Sequence, residues 1–207
     1  MSQAVHQELL QQASALPYLQ QLLQANGIQQ LSLQGEENFF PYLARSVAGQ
    51  QLSNTAARTI WQRVESLLTN EQQLLDLFVE SNREVLRGCG LSNAKIKTIC
   101  GVREALEQRV IVPEELAIMP ESEIVKTLTQ LWGIGPWTAE MTAIFFFGLP
   151  DVWSKGDVAL ARGLSLIAEK EGVSEQEILS TVTPYRSYFA LHVWQSLDTD
   201  LFTSMAN

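Results

Sequence analysis

The sequence predicts an all-α protein, and three observations predict it. Apolar residues recur every three or four positions along most of the chain, the spacing that lines one face of a helix. Pro, Gly and Ser/Asp residues punctuate these runs where helices start and stop. No segment alternates apolar and polar residues as a half-buried strand would, and there is no low-complexity tract or internal repeat.

Leu9, Leu10 and Ala13 begin one apolar stripe, and Leu19, Leu22 and Leu23 continue it after Pro17. Gly27 and Gly35 interrupt the chain. Phe39, Phe40, Leu43 and Val47 then mark a helix with Pro41 in its first turn. Ala56, Ile60, Val64 and Leu67 predict the next helix, and Leu74, Leu75 and Phe78 a short one. Ser81 with Glu84 reads as a capping box for a helix that Gly88 and Gly90 end. A helix is expected from about Ser92 to Gln108. Val110–Val112 is β-branched but stops at Pro113. Pro120 precedes a helix carrying Ile124, Leu128 and Leu131, broken by Gly133 and Gly135. Another starts near Pro136 and runs through Ala139, Ala143 and Phe147. Asp157 opens the next, with Ala161, Leu164 and Ile167 on one side. Ser174 and Glu177 read as a second capping box, and Pro184 opens the last helix through Ala190 and Trp194.

Composition narrows the class. A chain of 207 residues with 46% hydrophobic residues can bury a real core, as one domain or two packed lobes. Two cysteines are too few for a secreted disulfide scaffold or a four-cysteine cluster, so a reduced, cytoplasmic setting is expected. No apolar run reaches membrane-spanning length, and the Gln-rich start lacks the order of a signal peptide. The net charge of −9 argues against broad nucleic-acid binding, because little counterion release is available to an acidic protein. A short local contact through helix-start N–H groups stays open.

The segment Leu131-Trp-Gly-Ile-Gly-Pro-Trp-Thr-Ala139 joins two helices through a turn with glycines two apart. Glycines there allow positive φ and close approach of another backbone, and the second helix start offers N–H groups to a phosphate. Gly-x-Gly alone reads first as a plain αα-hairpin turn. Beyond the second helix lies Asp151-Val-Trp-Ser-Lys-Gly-Asp157, with an Asp at a helix start. By position that Asp is an N-cap. Capping and chemistry are compatible, since backbone N–H groups favour the charged form of a carboxylate that accepts them.

Together these segments resemble the helix-hairpin-helix DNA glycosylase superfamily, and within it the alkyladenine branch, 3-methyladenine DNA glycosylase II. Ser46-Val-Ala-Gly-Gln-Gln-Leu-Ser53 resembles the family's minor-groove loop, and Pro184-Tyr-Arg-Ser-Tyr-Phe-Ala-Leu-His-Val-Trp194 its C-terminal helix. The resemblance covers about residues 39–198. It implies an all-α, two-lobed helical bundle with the active site in the interlobe cleft. The lobes would be residues 37–147, with the hairpin, and 1–36 with 148–207. Ser154 stands where many relatives have Pro, which predicts a looser loop.

The resemblance implies roles as well. Asp157 matches the catalytic Asp. Trp137 occupies the hairpin position where bifunctional relatives carry a Schiff-base Lys. Trp cannot be that nucleophile, so a monofunctional enzyme is expected, one that hydrolyses the bond and leaves an abasic site. Trp137 and Trp194 match aromatic residues of the alkyladenine pocket, and Trp153 could join them; core packing is the alternative for each. Gln51 matches the side chain that fills the gap left by the extruded base, with Gln50 beside it. A solvated polar pair is the plainer reading. Ser53 would touch the minor groove or cap the next helix. Gly133, Gly135, Thr138 and Lys155 complete the expected DNA-contacting set, and Arg186 would pair within the fold. The hairpin would hold a monovalent cation, Na⁺ or K⁺, on the main-chain oxygens of Thr129, Leu131 and Ile134, with no other cofactor required. The separated His6 and His192 suggest no metal site, and the iron–sulfur branch is excluded by the cysteine count.

The implied substrate is double-stranded DNA carrying 3-methyladenine- or 7-methylguanine-type lesions, handled by a monomer in base excision repair. Such bases are cationic and their glycosidic bonds are already weak, so aromatic walls worth roughly 0.5–2 kcal/mol add selectivity after flipping. The rival readings are a non-catalytic protein binding abasic or distorted DNA, a protein-interaction bundle, and a glycosylase for hypoxanthine, ethenoadenine or uracil.

Overall fold

The computed structural model describes residues 2–69 and 73–205, and among these every regular element is a helix. In chain order they are α1 (Ser2–Gln12), α2 (Pro17–Asn26), α3 (Phe39–Gly49), α4 (Asn54–Glu65), α5 (Leu74–Leu77), α6 (Arg83–Gly88) and α7 (Asn93–Glu107). There follow α8 (Pro113–Leu116), α9 (Glu121–Leu128), α10 (Pro136–Phe145), α11 (Val158–Glu171), α12 (Glu175–Thr181), α13 (Arg186–Asp198) and α14 (Leu201–Ser204). None of them is long and apolar enough to cross a membrane.

The chain divides into two compact units, Met1–Leu33 with Ala143–Asn207, and Gln34–Thr142. In the first, α2 follows Pro17, whose missing N–H costs nothing at a helix start. Its Leu19, Leu22 and Leu23 are fully buried, each worth about 1.5–3 kcal/mol of hydrophobic stabilisation. They join Leu9, Leu160, Leu164, Ile167, Ile178, Phe189 and Val193 in one core, with α13 packed on both α2 and α11. In the second unit α3 is the central helix and packs on α4 and α7. Phe39, Phe40, Leu43 and Val47 face inward from it, and Phe40 meets Phe78 edge-on at 5.9 Å. The inner face of α4 is built on Trp61 and Val64 rather than on Ala56, Ile60 and Leu67.

Several boundaries differ from the sequence expectation for local reasons. Glu80–Asn82 forms a 3₁₀ turn, so α6 starts at Arg83 behind Asn82, and Ser81 caps nothing. Pro113 ends the β-branched Val110–Val112 segment and begins the one-turn α8. Leu131 lies past the end of α9, in the hairpin turn, and Phe147 lies past the end of α10. α13 starts two residues after Pro184, and the short α14 follows it.

Candidate active site and DNA-facing loops

The loop that delivers Asp157 begins where Gly148, at φ +63°, leaves the end of α10 and lets the Leu149 N–H return to the Ala143 carbonyl. Asp151 then grips Arg186 through both carboxylate oxygens, at 2.6 and 2.8 Å, and also accepts the Arg186 backbone N–H. The Val152 N–H donates to Ser187 Oγ at 2.9 Å, and the Ser187 N–H to the Pro150 carbonyl at 3.0 Å. Ser154 is 1% exposed, and its carbonyl accepts the Asp157 N–H at 3.2 Å. Residues 150–152 are thereby tied to the start of α13.

Asp157 has an extended backbone and is the N-cap of α11: its Oδ1 accepts the Leu160 N–H at 2.9 Å. The same oxygen accepts the indole N–H of Trp194 in a long bond of 3.4 Å, past the usual range for N–H···O. Trp194 is half-buried, and its ring lies 5.6 Å from Phe145, tilted by 30°. Phe145 is 36% exposed, so an aromatic surface stands beside the carboxylate. Sequence reasoning missed Phe145: it sits among Phe145-Phe-Phe147 with nothing to separate it from the buried Phe146 and Phe147. The helices that carry Asp157 and Trp194 approach closely because α11 has Gly163 opposite Val193. A Cβ there would lie 2.3 Å from Val193 Cγ1.

Trp153 does not join this surface. It is 8% exposed, stacks on Phe189 at 5.4 Å and belongs to the core, so core packing replaces its pocket reading. Lys155 is exposed in the loop.

The second unit holds the hairpin and the Gln50–Gln51 loop. Gly133 sits at φ +82°, and a Cβ on it would fall 2.1 Å from Thr98 Oγ1, so both conformation and space require glycine. Gly135 needs neither: its φ is ordinary, and nothing lies within 4 Å of the missing Cβ, so its backbone is open to an approaching strand. Trp137 is 44% exposed at the start of α10, which sets aside core packing for it. It lines a cavity of about 410 Å³ with Tyr42, Arg45, Gln50 and Gln51. Tyr42 donates its hydroxyl to the Met141 carbonyl, and burial pushes its pKa up to about 12.

Gln50 and Thr138 pair with each other: Gln50 Nε2 donates to Thr138 Oγ1 at 3.1 Å and reaches the Gly133 carbonyl at 3.5 Å. Thr138 is 3% exposed, so it braces the loop from inside and its expected DNA contact is corrected. Gln51 is exposed at φ +57°. Ser53 caps α4 by accepting the Ala56 N–H at 3.3 Å. In the hairpin turn, the Leu131 carbonyl accepts the Ile134 N–H and keeps its second lone pair. Thr129 Oγ1 donates to the Val125 carbonyl at 2.7 Å. The main-chain carbonyl oxygens of Thr129, Leu131 and Ile134 are hard donors, the kind that a monovalent cation takes.

An all-α fold with a Gly-Ile-Gly hairpin, a projecting glutamine loop and a helix-capping Asp beside an aromatic surface defines the class of helix-hairpin-helix DNA glycosylases. No family model matches the sequence. DNA-3-methyladenine glycosylase 1 of Schizosaccharomyces pombe is 30% identical over 164 residues, 75% of this chain and 72% of that protein. An alkylbase DNA glycosidase-like protein of the same yeast is 28% identical over 166 residues, 75% of this chain and 77% of its own length. Among solved structures, a DNA-3-methyladenine glycosidase from Bacillus halodurans superposes with a TM-score of 0.76 at 32% identity, over 91% of this chain and 86% of that one. The S. pombe 3-methyladenine DNA glycosylase in complex with abasic DNA gives a TM-score of 0.74 at 26% identity, over 90% and 96%. The chain belongs to the DNA-3-methyladenine glycosylase family.

Proposed function

We propose that this protein is a monofunctional DNA glycosylase that hydrolyses the N-glycosidic bond of alkylated purines flipped out of double-stranded DNA. The observation that carries this reading is the hydrogen bond from Trp194 to Asp157. It sets a carboxylate and an aromatic face side by side, at the start of α11 and on α13.

The chemistry follows from that pair. A 3-methyladenine- or 7-methylguanine-type base is cationic, and the face of Trp194, steadied by Phe145, attracts it. As the glycosidic bond stretches, positive charge moves to the sugar. The Asp157 carboxylate stabilises that charge and orients or deprotonates the attacking water. Its geometry is set before the reaction by the Leu160 N–H, so no reorganisation is needed. Trp137, at the hairpin, offers no amine to form a Schiff base, so the abasic strand is left intact. Gln51 fills the vacated stack, Gly135 and the start of α10 take the DNA backbone, and the exposed Ser53 and Lys155 offer further contacts. The main-chain oxygens of Thr129, Leu131 and Ile134 would hold Na⁺ or K⁺, which supplies positive charge toward a phosphate.

The test is duplex DNA treated with a methylating agent, incubated with wild-type protein and with Asp157→Asn. Asn caps a helix nearly as well as Asp, so the variant keeps its fold while losing the charge. Release of methylated bases should fall by at least ~100-fold. Equal release by both proteins removes Asp157 from its role, and release by neither supports the rival reading of a non-catalytic protein on abasic or distorted DNA. Strand breakage without added base contradicts hydrolysis as the sole reaction.

A further inference from the structure

Gln51 has an unusual backbone for its task. A non-glycine residue at φ +57° is uncommon, and it persists only where the surroundings hold it. Two long-range hydrogen bonds flank it. On one side is the Gln50 bond to Thr138 and the hairpin. On the other, Lys95 Nζ donates at 2.9 Å to the carbonyl of Ala48, in the last turn of α3. Ala48 is 1% exposed, and Lys95 is half-buried, with burial holding its ammonium below the usual lysine range. A lysine in this setting has given up part of its hydration to bond one backbone oxygen.

Lys95 also shares α7 with Thr98, one turn on. Thr98 is 3% exposed, donates its hydroxyl to the Ala94 carbonyl, and fills the space beneath Gly133. One face of α7 thus touches both DNA-facing segments, the Gln50–Gln51 loop through Lys95 and the hairpin through Thr98. The chain from Ala48 to Gln51 is short, and it is closed by the Gln50 N–H to Val47 and Leu52 N–H to Gly49 bonds. A displacement of the Ala48 carbonyl would therefore pass directly to Gln51.

We propose that Lys95 is a positioning residue for base excision, holding the Gln50–Gln51 loop so that Gln51 enters the duplex at a fixed place. The inference rests on the reading of Gln51 as the side chain that fills the vacated stack. A wedge that is held before encounter loses less conformational freedom when the base leaves. Lys95 acts through the loop and touches no DNA.

A double-mutant cycle tests this on a duplex carrying one 7-methylguanine, under single-turnover conditions. Lys95→Met should slow excision about five- to tenfold, the effect of one lost hydrogen bond. Added to Gln51→Ala it should cost nothing more, because the group it positions is already gone. Lys95 and Gln51 are not bonded to each other, so independent action would multiply the two losses instead, and that outcome overturns the proposal. Wild-type rates in Gln51→Ala alone would remove the gap-filling reading and this inference with it. Salt dependence of binding gives a second readout: Lys95→Met should leave the slope unchanged, whereas a slope shallower by about 0.9 would assign Lys95 a phosphate instead. Melting curves establish that each variant is folded. Should the Met variant melt early, Lys95→Gln, polar but shorter, enters the same cycle.

Discussion

His192 turns a buried ring into a pH dependence that the site chemistry does not need. It is 1% exposed, and its ring centroid lies 6.0 Å from that of His6, at 27° between planes. The Nδ1 atoms of both rings are buried, without a hydrogen-bond partner among the described residues. Burial first, and the neighbouring His6 second, push the His192 pKa down to about 3 from 6.5. The folded protein therefore keeps the ring neutral where the unfolded chain would protonate it. Stability is fully present above about pH 6.5 and is lost as pH falls toward about 3. The slope is about 1.4 kcal/mol per pH unit in that window. Urea unfolding at pH 7 and pH 5 should differ by about 2 kcal/mol from this group alone. His192→Gln should flatten the dependence by that amount; an unchanged slope would sink the assignment. The two histidines stand 186 positions apart in a chain that shows no pattern linking them, so their pairing was not legible from sequence.

Elements set the distance between Asp157 and Trp194, and the critical position is a helical glycine. Gly163 admits Val193 at a spacing that a methyl group would forbid, since its Cβ would overlap Val193 Cγ1. Gly163→Ala should raise helix propensity locally yet destabilise the protein by about 1–3 kcal/mol through overpacking. It should also slow excision by lengthening the Trp194–Asp157 bond. Gly163→Ala combined with Val193→Ala restores space, so both losses should shrink together. Recovery of melting temperature without recovery of excision would show that α11–α13 spacing does not set the site. What the sequence made legible at this scale was local. Asp157 and Ser174 cap their helices as expected, and Ser92, expected as the start of its helix, caps it, because an N-cap is decided within three residues. Ser81 misled because the preceding segment takes a 3₁₀ turn and moves the helix start beyond it. Trp153, Trp194 and Phe145 were beyond local reasoning. Aromatic spacing along a helix does not say which rings find a core and which find the carboxylate.

For the whole molecule the open question is charge. The chain carries 14 Lys and Arg against 23 Asp and Glu, for a net charge of −9. Much of the positive charge is already engaged within the protein. Arg83, Arg87, Arg103, Lys126 and Arg186 form ion pairs with Glu80, Glu84, Glu107, Glu123 and Asp151. Lys95 serves the Ala48 carbonyl, and Lys97 lies over the Trp132 ring at 4.2 Å. Seven of the fourteen are left to replace counterions on DNA, so binding would lean also on backbone N–H groups at the hairpin, on the wedge proposed for Gln51 and on the aromatic face. Those terms depend weakly on salt. Anisotropy titrations between 50 and 200 mM salt should therefore give a log–log slope no steeper than about −3, where broad phosphate binders making many ionic contacts reach slopes of about −6 or beyond. Lesion-containing and undamaged duplexes should share that slope and differ in intercept, because the lesion enters through flipping and stacking rather than through ions. A slope near −6 would mean that this acidic protein brings about seven cations to DNA phosphates, as many as lie outside its ion pairs and the Lys95 and Lys97 contacts, and would overturn this reading.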